Sequence, residues 1–166
     1  MNANVFVDDR ILLNVGFDAA RCQLGRLAGD GVLLGAAEYA YGAGIAGLAE
    51  TLAPAAGMSR QAEMSRLAGV RADDIADTPD GARLWLRWEA IGPDGAVYPA
   101  LDAVVTLAPA GDAITSLELA GVYRPPGQIQ AEVSPAIVHC FAAVAIRGFI
   151  ARLACALMHP AGAALR

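Results

Sequence analysis

The chain has 166 residues, of which 56% are hydrophobic and 17% are charged, and its formal net charge is −5. This composition excludes a disordered chain and is typical of one folded domain, so we expect residues 1–166 to form a single domain. The 12 basic residues are all arginine and form no basic run, which argues against nucleic acid binding.

The cysteines and the N-terminus indicate a cytoplasmic protein. Cys22, Cys140 and Cys155 are odd in number, lie in apolar helical patterns and show no metal-ligand spacing. We therefore interpret them as reduced, buried thiols. The N-terminal residues lack the basic and apolar regions of a secretion signal.

The first half of the chain predicts a strand followed by helices. Alternating hydrophobicity predicts a strand from Val5 to Val15, and a helical pattern opens at Asp18 and ends near Gly29. The next region, Val32 to Pro54, predicts a short helix that passes into a strand. Its glycines argue against one continuous helix, because each interior glycine costs up to about 1 kcal/mol. They are Gly42, Gly44 and Gly47, and the strand is placed at Ile45–Leu52.

The second half predicts long antiparallel strands joined by turns. Gln61–Val70 is predicted to be a strand, and Arg71–Thr78 either its polar continuation or a loop. Turn sequences rich in proline, aspartate and glycine follow at residues 79–81, 93–95 and 109–112. The runs between them alternate with period two, which predicts a meander with one apolar face. The inward set is Leu84, Leu86, Trp88, Ala90, Leu101, Ala103, Val105, Leu107, Leu117, Leu119, Gly121 and Tyr123.

The last long apolar segment predicts one helix from Ser134, as N-cap, to Met158. Its arginines favour a buried helix of a soluble domain over a membrane span, because a central arginine costs roughly 2.5 to 3.5 kcal/mol on insertion. Arg152 either reaches water past the helix end or meets a ligand group. A helical projection places one wide face at Ile137, Phe141, Val144, Ala145, Gly148 and Phe149, with His139 and Arg147 opposite.

The order of elements and three motifs resemble the START-like superfamily called SRPBCC, which has the helix-grip fold. The motifs are Leu86–Gly95, Tyr98–Ala103 and Leu119–Gly127. The superfamily includes polyketide cyclases and lipid-transfer domains, and the chain looks most like its uncharacterised bacterial members. The resemblance implies an α+β fold in which a curved antiparallel sheet wraps around the C-terminal helix. It also implies a cavity between them for an apolar ligand.

Candidate cavity residues follow from this arrangement and from the positions of polar and aromatic side chains. Glu38 lies beside two tyrosines, where it is either an acid–base group with a raised pKa or a solvated helix residue. Trp88 and Tyr123 face inward, where they either belong to the core or orient a ligand. The full set is Glu38, Tyr39, Tyr41, Trp88, Leu101, Ala103, Val105, Leu119, Tyr123, Phe141, Ala145, Phe149 and Arg152.

Other motifs give little support to a catalytic, cofactor-binding or metal-binding site. The glycines of the 42–47 segment fit a dinucleotide-binding spacing, but no strong strand precedes them and no acidic ribose ligand follows. His139 and Cys140 are neighbours on a helix and point apart, so they form no dyad. Four aspartates, Asp73, Asp74, Asp77 and Asp80, are interpreted as a hydrated hairpin tip. We therefore expect no metal and no cofactor.

Three functions remain open. The first is binding of a small hydrophobic molecule, lipid or polyketide-like, in the cavity. The second is an interaction module, such as a homodimer, that uses the outward-facing Trp85 and other exposed apolar residues. The third is a cyclase or dehydrase that uses Glu38, a tyrosine or Arg152 to polarise a bound carbonyl.

Overall fold

The protein is represented by a computed structural model that describes residues 4–52, 65–92, 94–125 and 134–160. The helices and strands follow one another along the chain with a long helix last. In order they are β1 (Val5–Leu13), α1 (Phe17–Gly29), α2 (Val32–Leu52), β2 (Arg66–Ala72), β3 (Ala76–Thr78), β4 (Gly81–Ile91), β5 (Val97–Gly111), β6 (Ile114–Tyr123) and α3 (Pro135–Met158).

The strands form one antiparallel sheet in the order β1-β6-β5-β4-β2. The short strand β3 pairs with the first residues of β4, whereas β2 pairs with the later ones. The two short strands therefore share one edge of β4, and residues 73–75 interrupt that edge. The predicted meander is confirmed.

The alternation of apolar and polar residues along the strands corresponds to an alternation of buried and exposed side chains. Along β4, Leu84, Leu86 and Trp88 are buried, while Arg83, Trp85 and Arg87 are exposed. The same pattern runs through the middle of β5, from residue 101 to 107. Successive strand residues point to opposite faces, so the buried set forms one continuous apolar surface, the concave face.

The turn chemistry explains two of the hairpins. After β4, the carboxylate of Asp94 accepts a hydrogen bond from Ala96 N at 3.0 Å, and Gly95 adopts a φ of 79°. Before β4, a Cβ at Gly81 would collide with the carbonyl oxygen of Leu107. Glycine supplies the backbone freedom at both places. The third turn lies at residues 112–113, after β5 has ended.

Helix α3 packs along β1 and β6 and against α2. Its start is capped as predicted, since the Ser134 hydroxyl accepts a hydrogen bond from Ile137 N at 3.4 Å. The sheet and this helix form the expected α+β, helix-grip arrangement. By length and composition alone α3 is also apolar enough to cross a bilayer, and 50% of its most apolar window is buried in the domain.

Helix α3 is rotated about its own axis relative to the orientation that the helical projection predicted. Val144, which was placed on the inward face, is 54% exposed. The helix is apolar on nearly every side, so hydrophobic periodicity does not select the packed face. The buried residues are Val138, Ala142, Ala145, Ile146, Phe149, Ile150, Leu153, Ala154 and Leu157.

The predicted helix-to-strand transition between Val32 and Pro54 is wrong, because α2 is one continuous helix to Leu52. Its glycines meet α3 closely. A Cβ at Gly47 would lie 2.7 Å from Cε1 of Phe141, and one at Gly44 would lie 3.2 Å from Cβ of Ala145. The cost of glycine in a helix is offset here by the close approach of two helices.

The expected burial of the cysteines is wrong, and the segment after β2 is now defined. Cys22, Cys140 and Cys155 are free, as expected, but all three are exposed rather than buried. Of the two alternatives for Arg71–Thr78, the polar continuation holds as far as Ala72, where β2 ends, and β3 then forms at Ala76–Thr78. Of the predicted strand Gln61–Val70, residues 61–64 lie outside the described residues.

Candidate functional site: the interior between sheet and helices

A cross-strand row of large side chains lines the concave face beneath α3. Trp88 on β4 pairs with Leu101 on β5, which pairs with Tyr123 on β6. All three are buried, with exposed fractions of 2% or less. From α3, the Phe149 ring meets the Trp88 indole edge to face, with centroids 5.2 Å apart at 75°. This geometry is the favoured one for two aromatic rings.

The indole nitrogen of Trp88 is a buried donor without an acceptor. Among the described residues, Nε1 of Trp88 is the one buried side-chain nitrogen or oxygen that has no hydrogen-bond partner. Leaving such a donor unpaired costs about 1–3 kcal/mol. Buried polar groups are satisfied in the great majority of cases, so this one calls for an explanation.

Three hydroxyl groups meet in the same interior and are called the hydroxyl cluster below. The hydroxyl of Tyr41 on α2 lies 2.6 Å from that of Ser65 and 2.7 Å from that of Tyr98 on β5. The Ser65 and Tyr98 hydroxyls lie 3.2 Å apart, and Ser65 also donates to the carbonyl oxygen of Ile91 at 3.4 Å. The cluster thus joins α2 to the end of the sheet where β4 stops and β5 begins.

Burial strengthens the preference of the interior tyrosines for the neutral phenol form. Desolvation raises the pKa of Tyr41, Tyr98 and Tyr123 above the ordinary value of tyrosine. A neutral phenol donates one hydrogen bond and accepts others, so the tyrosines offer donors rather than bases. Among the described residues, no charged side chain is buried; the buried polar ones are Gln23, Ser65, Thr115 and Ser116.

The predicted cavity residues divide into an interior group and a surface group. The interior group comprises Tyr41, Trp88, Leu101, Ala103, Val105, Leu119, Tyr123, Ala145 and Phe149, all buried. Phe141 is half-buried against the glycines of α2. Glu38, Tyr39 and Arg152 are exposed. The Arg152 guanidinium carbon lies 3.5 Å from the centroid of the Tyr39 ring, so this pair forms a surface cation–π contact.

Sequence reasoning missed two members of the hydroxyl cluster. Ser65 precedes β2 in a segment whose pattern offered no distinguishing feature. Tyr98 stands at the start of β5, next to Pro99 and within one of the resemblance motifs, and that position could have indicated it. The fold brings both to Tyr41.

The described residues contain no group of three or more His, Cys, Asp or Glu side chains placed to hold a metal ion. Of the four aspartates from 73 to 80, Asp77 on β3 binds the guanidinium of Arg21 on α1. This ion pair fastens α1 to the sheet edge. The interior presents apolar side chains together with neutral hydrogen-bond donors.

No protein-family model matches the chain, and no curated protein matches it. Among solved structures it is similar to the Zhui aromatase/cyclase from Streptomyces sp. R1128, with 10% sequence identity and a TM-score of 0.44. That similarity covers 99% of this chain and 97% of the other. An identity this low carries no information on ligand or reaction.

Proposed function

We propose that the protein binds a small, mainly apolar molecule with one hydrogen-bond acceptor between the concave face and helices α2 and α3. The observation that supports this most is the unpaired indole N–H of Trp88. An oxygen atom of a bound molecule would satisfy it and remove the cost of the buried donor. The surrounding aliphatic and aromatic side chains would hold the rest of the ligand.

The charge of the interior narrows the class of ligand. The described interior contains neutral donors and no buried charge, so an anion there would lose its hydration without gaining a counter-charge. Ketones, quinones, esters and ethers fit better than a fatty acid carboxylate. Of the two classes expected from the sequence, uncharged polyketide-like compounds fit better than ionised lipids.

Entry of a ligand requires side chains to move. Trp88 and Phe149 are 0% exposed and Tyr41 is 1% exposed, so the indole N–H is not open to solvent. The hydroxyl cluster is the contact at which we propose that the interior opens, because Tyr41 joins α2 to the sheet there through hydroxyl groups that can exchange partners.

A cyclase or dehydrase role receives less support. Glu38 and Arg152, two of its candidate catalytic groups, lie on the surface. The tyrosines remain, but their raised pKa values make them weaker proton donors to a reacting carbonyl. Binding without chemistry accounts for the geometry with fewer assumptions.

The test uses a matched pair of ligands, the ketone fluorenone and the hydrocarbon fluorene. The chain has 2 tryptophans, so the Trp85→Phe protein reports from Trp88 alone. We expect both compounds to bind saturably and to change Trp88 emission. The ketone should bind about tenfold more tightly, because it alone accepts a hydrogen bond from the indole.

Trp88→Phe is the matched variant, since it keeps an aromatic ring but removes the donor. Its binding, followed by native mass spectrometry, should show equal affinity for ketone and hydrocarbon. If neither compound binds saturably to the wild-type protein, interior ligand binding is refuted. If both bind but the ketone has no advantage, the assigned role of Trp88 is refuted while apolar binding stands.

A further inference from the structure

The outer face of the sheet carries a cavity of about 400 Å³ that the interior function does not use. It lies where the edge strand is interrupted after β2. Its walls are Arg71, Asp73, Trp85, Arg87 and Asp102, and the inward-facing Leu86 and Ala103 lie between them along β4 and β5. This volume falls in the range of small-molecule sites, and the feature is called the outer pocket below.

Two arginines face each other across the outer pocket. Arg71 on β2 and Arg87 on β4 are direct cross-strand partners. Like charges in this position repel one another unless anions lie close by. Carboxylates supply part of that compensation: Glu89 lies 3.2 Å from Nε of Arg71, and Asp102 lies 2.6 Å from Nε of Arg87.

These contacts orient the guanidiniums and leave their outer edges available. Both arginines use Nε for their carboxylates, and their terminal amino groups have no partner among the described residues. Their side chains are 75% and 53% exposed. Two such groups, opposed across neighbouring strands, can donate to the two oxygens of one carboxylate.

The indole of Trp85 supplies an apolar wall beside these donors. Trp85 is 59% exposed, which is unusual for so large an apolar side chain on a sheet surface. Asp73, whose backbone N–H donates to the carbonyl oxygen of Trp85, stands at the same end of the pocket. Its carboxylate repels an anion there and directs the acid group of a ligand towards Arg71 and Arg87.

The formal charges in and around the outer pocket balance one another. Arg71, Arg87 and Arg124 are matched by Asp73, Glu89 and Asp102, and Asp102 also accepts from Arg124 at 2.6 Å. The two lining guanidiniums face two lining carboxylates, so the pocket has no excess positive charge to neutralise the two negative charges of a phosphate monoester. An indole wall suits an aromatic or flat apolar body.

We propose that the outer pocket is a second binding site, which takes a small aromatic monocarboxylate. The ring lies against Trp85, and the carboxylate accepts hydrogen bonds from Arg71 and Arg87. This site is separate from the interior, so it does not depend on the function proposed above.

The test measures binding of naphthoate by ligand-observed NMR and calorimetry, with naphthamide and naphthylmethylamine as uncharged and cationic analogues. We expect saturable binding of the acid, weakened by added salt, and about tenfold weaker binding of the amide. Arg71→Gln and Trp85→Ala should each weaken naphthoate binding about tenfold. Arg71 is exposed, so its replacement leaves the fold intact.

Arg83→Gln is the matched control, because Arg83 is exposed on the same face of β4 but does not line the pocket. That variant and Trp88→Phe should bind naphthoate as the wild type does. The proposal is overturned if naphthoate does not bind, if the amide or amine binds as well as the acid, or if Arg83→Gln weakens binding as much as Arg71→Gln. Failure of interior ligand binding leaves these outcomes unaffected.

Discussion

The hydroxyl groups of Tyr41 and Tyr98 lie 2.7 Å apart and join helix α2 to the first residues of strand β5. Ser65 completes this contact from the start of β2. Three segments that are distant in sequence are therefore held at one point. The stability of α2 against opening should depend on this point more than on any single apolar contact of the helix.

Replacing Tyr41 with phenylalanine tests that dependence. We expect Tyr41→Phe to lower the free energy of unfolding by about 1–2 kcal/mol, because Ser65 and Tyr98 lose a buried partner. Amide hydrogen exchange in α2 should accelerate more than in α3. Tyr39→Phe is the control, since Tyr39 is 56% exposed, and it should change neither quantity. Equal exchange rates in wild type and Tyr41→Phe would show that the hydroxyl cluster does not hold α2.

Replacing two of the α2 glycines with alanine should change the stability of the protein in opposite directions. Gly47→Ala places a methyl group against the Phe141 ring, so we expect a loss of about 1–2 kcal/mol. A Cβ at Gly42 meets nothing within 4 Å, so Gly42→Ala should stabilise the helix by about 0.5–1 kcal/mol. Urea unfolding measures both. Stabilisation by Gly47→Ala would show that α2 and α3 do not need this close approach.

Gly121 on β6 should tolerate no side chain. A Cβ there would collide with the carbonyl oxygen of Asp102 and lie 2.6 Å from Cβ of Ala103. Both contacts are with the neighbouring strand, and a carbonyl oxygen held in the sheet cannot rotate away. We expect Gly121→Ala to cost about 2–3 kcal/mol in thermal or urea unfolding. A loss below about 0.5 kcal/mol would contradict the described β5–β6 spacing.

The Asp102 ion pairs predict a pH dependence of stability. Burial alone would raise the pKa of Asp102, but hydrogen bonds from Arg87 and Arg124 outweigh it and lower the pKa below the usual value. The ionised form is therefore favoured in the folded state. Its contribution is full above the unfolded pKa of about 3.9 and disappears as pH falls through the lower folded pKa.

We accordingly expect Asp102→Asn to cost about 1 kcal/mol at neutral pH, a modest value because the side chain is 33% exposed. The difference from wild type should shrink as pH drops below about 4. Thr106→Val, on the outer face of β5, is the control, since it removes no ionisable group. A difference that grows in acid would contradict the direction of the pKa shift.

Much of the fold could be predicted because its determinants are local. In β4, period-two alternation correctly placed Trp88 inside and Trp85 outside. The N-cap at Ser134 and the turn at Asp94 and Gly95 were also readable, since each depends on a few neighbouring residues. These features need no knowledge of what packs against them.

The features that could not be predicted depend on distant partners. Gly44 and Gly47 disfavour a helix in isolation, and only the surface of α3 makes them favourable in α2. Helix α3 is apolar nearly all round, so its sequence does not select a packed face, and Val144 was placed inside although it is exposed. Ser65 was also missed, because its role depends on contacts with Tyr41 and Tyr98, which are distant in sequence.

The break between β2 and β3 has a consequence for self-association. An uninterrupted edge strand offers unpaired amide and carbonyl groups to a second chain and so promotes fibrous aggregation. Here residues 73–75 belong to neither strand, Asp73 keeps one backbone hydrogen bond to Trp85, and charged Asp73 and Asp74 occupy the gap. An incoming strand can therefore find no long run of backbone partners along this border, and we expect concentrated solutions of the protein to resist amyloid-like assembly there.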